Sequence, residues 1–205
     1  MDLTFFYAPG TISLASIIAL EETGLPYTLK RVDFGAAQQK SPEFLKINPK
    51  GRVPALVTDQ GILTETPAIL TYIADLAPTS GLMPTDPWAA AQVQSIMSYL
   101  ASTVHIAHAH RMRGHRWADG QVAQDAMKAR VAGNMTECFE LIEAEMLKAP
   151  WIMGADYSLA DPYMFTIARW LKADGVDPAG LSKITDHMAR MAARPAVQRA
   201  LALAV

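Results

Sequence analysis

Hydrophobic positions change their period along this chain, and the change divides it in two. Residues 2–7, Asp-Leu-Thr-Phe-Phe-Tyr, form a short β-prone run ended by Pro9-Gly10, and Ser13 to Thr23 then carries apolar residues at helical spacing up to Gly24. Leu25-Pro26 introduces a second strand over Tyr27–Val32, and the polar stretch from Asp33 to Lys40 is a loop. Ser41-Pro42-Glu43 predicts a short helix with serine as N-cap and proline at the first helical position. Val53–Thr58 and Gly61–Leu63, separated by Asp59-Gln60, predict a hairpin, and Thr66–Leu76 a third helix. The order βαβ then ββα predicts a four-stranded mixed sheet flanked by helices.

Strand periodicity ends there. Pro78, Gly81, Pro84 and Pro87 make residues 77–86 a linker between a first domain at 1–76 and a second at 87–205. Trp88 to about Met112, Gln121–Lys148, Leu159–Ala173 and Leu181–Ala193 all show helical spacing without alternation, and an alanine-rich tail follows. Ser158-Leu159-Ala160-Asp161 has the layout of a capping box that nucleates the third of these helices. The fold class expected is therefore α/β plus all-α.

Composition narrows the function classes. With 205 residues, of which 51% are hydrophobic, the chain can bury the cores of two small domains. A formal charge of -2 and a pI near 6.2 leave no electrostatic footprint for nucleic acid. No apolar run approaches the roughly 20 residues of a membrane span, and the first residues lack the pattern of a signal peptide. A soluble, cytoplasmic protein without membrane partners is expected. The single cysteine, Cys138, excludes an internal disulfide, a cysteine-rich zinc site and a Cys-X-X-Cys pair, and it is expected to pack as a small apolar residue. His105 and His108 share a helix face, but no carboxylate joins them at ligand spacing, so no metal site is expected. His105 reads as a titratable wall of an active cleft, and Arg111, Arg113 and Arg116 as a solvated or interface patch.

The most informative stretch is Asn48-Pro49-Lys50-Gly51-Arg52-Val53-Pro54-Ala55-Leu56, followed by Glu65-Thr66. Proline lowers the trans preference of the bond before it to roughly 0.5–1 kcal/mol, so a cis Val53-Pro54 bond is accessible. If cis, it would leave the Val53 N–H and C=O facing outward to pair with a ligand's backbone. Thr66 opens a helix whose orphan N–H groups attract a carboxylate, while Glu65 can meet an ammonium. Together they make a receptor for an amino-acid head group carried on a peptide. The blander alternatives are a first-turn acid at Glu65 and simple N-caps at Thr11 and Ser13.

These stretches, with Leu63-Thr64-Glu65-Thr66-Pro67-Ala68-Ile69, Tyr72-Ile73-Ala74-Asp75 and Ser158-Leu159-Ala160-Asp161, resemble the cytosolic glutathione transferase family over nearly the whole chain. Tyr7-Ala8-Pro9-Gly10, Ser13-Leu14-Ala15 and His105 look most like its bacterial beta class. The resemblance implies a thioredoxin-like first domain and an all-helical second domain that carries the electrophile pocket and part of a homodimer interface. It implies glutathione as co-substrate: Val53 and Pro54 against its cysteinyl backbone, Glu65 and Thr66 on its γ-glutamyl group, Arg52 on a carboxylate. Ser98 and His105 would help to complete the site across the homodimer. The beta class carries a cysteine where this chain has Ile12, so a mixed disulfide at that point is ruled out. Thr11 is then the first choice to donate a hydrogen bond to the glutathione sulfur and Ser13 the second, with Tyr7 nearby at the end of strand one. Of the lysine that the beta class often has after strand two, only Lys40 is left. A pocket between domains lined by Tyr7, Thr11, Ile12, His105, His108 and Met112 would take a small hydrophobic electrophile. The expected activity is conjugation of the glutathione thiolate, a detoxification reaction. The alternatives are glutathione-dependent reduction of disulfides or peroxides, dehalogenation, and a non-catalytic binding module.

Overall fold

Phe5 and Leu56, both without exposed surface, mark the middle of a four-stranded sheet in a computed structural model that describes residues 2–204. Its strands are β1 (Thr4–Tyr7), β2 (Thr28–Arg31), β3 (Ala55–Thr58) and β4 (Gly61–Thr64), in the order β2-β1-β3-β4. β1 runs parallel to β2 and antiparallel to β3, and β3 pairs antiparallel with β4. The mixed sheet expected from the βαβ and ββα order is the one observed.

This region also holds three helices. α1 (Ser13–Thr23) is buried from Ser13 to Leu20, as a helix apolar on nearly every side must be, and Gly24 closes it in the left-handed region at φ 68°. α2 (Pro42–Ile47) is capped by Ser41, whose Oγ accepts the Phe44 N–H at 3.2 Å. α3 (Thr66–Leu76) buries Ile69, Leu70, Ile73 and Ala74.

The chain forms two compact units. The first runs from the N-terminus through Pro87 and takes in the chain from Ala192 onward; the second is Trp88–Met191. This differs from the expected second domain at 87–205. The alanine-rich tail is a helix, α9 (Pro195–Leu203), with proline at its start and Ala196, Val197 and Ala200 buried. α9 packs along α1, and Arg194 grips Glu22 through two hydrogen bonds of 2.6 and 3.0 Å. Arg199 Nε donates to Glu21 at 2.6 Å.

The second unit is built mainly of helices, α4 (Pro87–Tyr99), α5 (His105–Arg113), α6 (Gln121–Leu141), α7 (Ala160–Ala168) and α8 (Ser182–Ala193, whose end passes into the first unit), with an isolated antiparallel bridge between Trp151 and Gly154. The expected single helix from Trp88 to about Met112 is continuous but contains a π-helical turn at Leu100–Val104, immediately before His105. A second π-helical turn, Ile142–Met146, ends the α6 segment, and α7 gives way to a 3₁₀ turn at Leu171–Asp174. The capping box closes through its carboxylate. Asp161 Oδ2 accepts the Ser158 N–H at 2.8 Å and the Ser158 hydroxyl at 3.2 Å. No helix among the described residues is long and apolar enough to cross a membrane.

Candidate functional site

Strand register gathers the peptide-binding candidates. Phe6 lies opposite Ala55, and Ala55 opposite Thr64, so the end of β1, the start of β3 and the end of β4 share one end of the sheet. The chain therefore brings the turn after Tyr7, the Arg52-Val53-Pro54 run and Glu65-Thr66 to the same end.

The loop before β3 is built on Asn48, which is buried. Its Nδ2 donates to the Arg52 carbonyl at 2.6 Å and its Oδ1 accepts the Lys50 N–H at 3.2 Å. Gly51 turns the loop at φ 60°, where an added Cβ would stand 3.1 Å from the Gln39 carbonyl oxygen. The Val53-Pro54 bond is cis.

Glu65 is the unusual residue of this end. It occupies the N-cap of α3 at φ 74° and ψ 123°, and its side chain caps nothing in the helix. Such a backbone costs about 1–3 kcal/mol in a non-glycine residue. Its carboxylate is instead paired with Lys50, whose ammonium also donates to Thr64 Oγ1 at 2.7 Å. Lys50 is absent from the residues anticipated by sequence, although it lies inside the run quoted above. Thr66, first in α3, is buried.

The two candidate hydroxyls differ in access. Thr11 Oγ1 lies 2.7 Å from the Ala8 carbonyl and 2.9 Å from Ser13 Oγ, and it accepts the Ser13 N–H at 3.3 Å. Ser13 is 0% exposed, whereas Thr11 keeps partial access to solvent. Two expected pocket residues are placed differently from the sequence expectation. Tyr7 is buried and its hydroxyl donates to the Leu203 carbonyl at 3.1 Å, so its one hydrogen is committed there. Ile12 is 4% exposed and packs in the core.

In the second unit, His105, His108 and Met112 fall on one face of α5 at the spacing i, i+3, i+7, and Met112 is 77% exposed. Ser98 is exposed on α4 and donates to the Gln94 carbonyl at 2.8 Å. Arg111, expected in a solvated or interface patch, donates to the Ala173 carbonyl at 2.7 Å and stands 3.1 Å from Asp174 Oδ1. That second contact lacks hydrogen-bond geometry and is ionic only. The carboxylate that sequence spacing did not find near His108 is the same Asp174, 2.7 Å from its Nδ1.

Cys138 behaves as the packed thiol expected. It is buried, burial pushes its pKa up, and Tyr99, hydrogen-bonded to it, is pushed up to about 12 by its own burial first and by that bond second. Both shifts disfavour the anion. In the folded protein at neutral pH, Cys138 is expected to react with a disulfide reagent markedly more slowly than the same thiol in denaturant, because burial disfavours its thiolate. Equal rates by thiol titration would show an accessible thiolate.

Comparison with known proteins agrees with this geometry. Residues 1–75 match the glutathione S-transferase N-terminal domain, and residues 95–195 match its C-terminal domain. Glutathione S-transferase GstA of Escherichia coli O157:H7 is 33% identical over 202 residues, spanning 97% of each chain. A solved glutathione transferase homologue from Sulfitobacter, with bound glutathione, superposes with a TM-score of 0.95 at 53% identity, over 97% of this chain and 96% of that one. A beta-class glutathione S-transferase of Sphingomonas chungbukensis gives a TM-score of 0.86 at 33% identity, over 100% and 98%. A βαβ-ββα sheet with a cis Val-Pro edge, a strained glutamate beside it and a helical second unit thus find their common explanation: the chain belongs to the glutathione S-transferase family of enzymes.

Proposed function

We propose that this enzyme holds reduced glutathione at the shared end of its sheet and transfers the thiolate to small hydrophobic electrophiles. Val53 and Pro54 meet the cysteinyl backbone, Glu65 and Thr66 the γ-glutamyl group, and Arg52 a carboxylate. The observation that carries this is the register that brings the turn after β1, the Val53 edge and the positive-φ Glu65 to one end of the sheet. Ile12 supplies no sulfur, and Cys138 is buried with its anion disfavoured, which supports conjugation by the ligand's own thiolate. His105, His108 and Met112 on α5 face the electrophile. The enzyme acts as a homodimer in which the partner's Ser98 and the partner's His105 complete the site.

Thr11 is the sulfur's hydrogen-bond donor. To serve, its hydrogen swings from the Ala8 carbonyl and Ser13 Oγ to the sulfur, while the Ser13 N–H supports Thr11 Oγ1 from behind. A donor stabilises the thiolate and lowers the thiol pKa; removing it raises that pKa and moves the acidic limb of the rate profile to higher pH. Thr11→Val should raise the bound thiol pKa by about one unit, about 1.4 kcal/mol, and cut kcat/KM at neutral pH about tenfold. Thr11→Ser should retain the wild-type profile, and Ser13→Ala should lose only a few-fold. The check is the pH dependence of kcat/KM with an activated aryl chloride, beside ultraviolet absorbance of the bound thiolate. An unshifted profile in Thr11→Val would remove Thr11 from the role, and absence of calorimetric glutathione binding by the folded wild type would overturn the proposed function itself.

A further inference from the structure

The second unit contains a histidine fixed more firmly than a surface helix requires. His108 Nδ1 lies 2.7 Å from Asp174 Oδ2, and the Asp174 side chain is 0% exposed. A carboxylate can only accept, so the shared hydrogen sits on Nδ1, and in the neutral ring the lone pair is on Nε2. Trp170 stacks on the same imidazole at 4.1 Å and 22°, which sets the ring plane. Its indole also stands 5.2 Å from the His105 ring. Arg111 braces the other carboxylate oxygen and the Ala173 carbonyl, anchoring the 3₁₀ turn that carries Asp174.

Position, ring plane and tautomer of His108 are thus all determined, by residues 62 and 66 positions away from their partners in sequence. Among the described residues Nε2 has no hydrogen-bond partner, and it is not among the buried polar atoms left without one; the side chain is 18% exposed. A tie between α5 and the 3₁₀ turn is already made by Arg111. Burying a carboxylate carries a desolvation penalty that a packed apolar pair would avoid, so stability alone does not account for the arrangement.

We propose that His108 Nε2 is a specificity-determining hydrogen-bond acceptor for the second substrate, with Asp174 as its positioning residue. Beside the Trp170 and His105 rings, the chemistry it fits is an aryl electrophile that carries a phenolic hydroxyl. This rests on the proposed function in placing α5 at the electrophile. The ring of such a substrate packs on aromatic side chains while its hydroxyl donates to Nε2. A methyl ether of the same shape has no hydrogen to give, and a site built for a donor rejects it.

The test is calorimetric titration of the full-length protein with a chlorophenol and with the matching chloroanisole. The phenol should bind about tenfold more tightly, equivalent to about 1.4 kcal/mol. His108→Phe, which keeps a ring over Trp170, should bring the ratio close to one without weakening the ether. Because His108→Phe leaves the Asp174 carboxylate without its imidazole and can fail to fold, Asp174→Asn provides the second measurement. It keeps the volume, loosens the tautomer, and should lower the ratio several-fold with ether affinity unchanged. A structural role alone would weaken both ligands together. A wild-type ratio near one, or a ratio unchanged in Asp174→Asn, would overturn the proposal. Glutathione titration of the same samples reads the transferase function separately, since its failure leaves the phenol-to-ether ratio measurable.

Discussion

Glu65→Ala should weaken glutathione binding by about ten- to 150-fold, the loss of about 1.5–3 kcal/mol expected for a hydrogen bond to a charged group. The prediction follows from where the side chain is spent. Ser, Thr, Asp or Asn at an N-cap stabilises its helix, yet Glu65 occupies the N-cap of α3 without capping it and pairs with Lys50 outside the helix. An incoming ammonium would compete with the Lys50 ammonium for that carboxylate. Glu65→Gln should fall between wild type and alanine, because it keeps an acceptor and loses the charge.

Comparison with Glu65→Gly separates binding from folding. At φ 74° and ψ 123° alanine is as misplaced as glutamate, whereas glycine relieves the backbone. The strain of about 1–3 kcal/mol exceeds the roughly 0.5–1 kcal/mol that glycine costs through chain entropy. Glu65→Gly should therefore be more stable than Glu65→Ala by about 1 kcal/mol, although both lose glutathione equally. Paired calorimetry and denaturant titration give both numbers. An alanine variant that binds normally would take Glu65 out of the γ-glutamyl role.

Asp161→Ala should destabilise the second unit by about 3–5 kcal/mol, enough to lower Tm by roughly 6–20 °C for a chain of this size. Asp161 is fully buried, and its carboxylate collects four contacts. These are the Ile152 N–H at 2.9 Å, the Ser158 N–H and hydroxyl at 2.8 and 3.2 Å, and His187 Nε2 at 2.9 Å. His187 is buried too, with Trp151 packed edge-on against it at 5.8 Å. Removing the acceptor orphans every one of these donors in a place water does not reach. Asp161→Asn should be nearly as damaging, since one of its two polar atoms becomes a donor facing donors. A thermal scan decides: a loss of less than about 1 kcal/mol would reduce the carboxylate to an ordinary helix cap.

How much was legible in advance differs between these two sites. The candidates around Val53 and Glu65 lie within one short span, in a run whose residue types each have a local meaning: proline at a strand start, an acid at a helix entrance, glycine where a turn needs positive φ. Asp161 was legible as a cap for the same reason, but His187, 26 residues on, was not, and with it the buried network stayed hidden. Lys50 was visible as a charge and not as a partner. The tail helix α9 was not anticipated, although Pro195 stands at the start of its helix just as Pro42 does.

By itself, then, the sequence determined most of the elements, the order βαβ-ββα, the change to an all-helical second part and the family. These follow from periodicity and from residues acting on their own neighbours, which are properties of a chain read in one dimension. The tertiary structure decided which groups share a proton or a charge. It tied the Tyr7 hydroxyl to Leu203, enclosed Ile12 and Ser13, joined α9 to α1, and brought Asp174 to His108 across 66 positions. Such pairings depend on packing that brings distant segments within hydrogen-bond range, and at that range a contact depends on distance and direction, neither of which is encoded in local spacing.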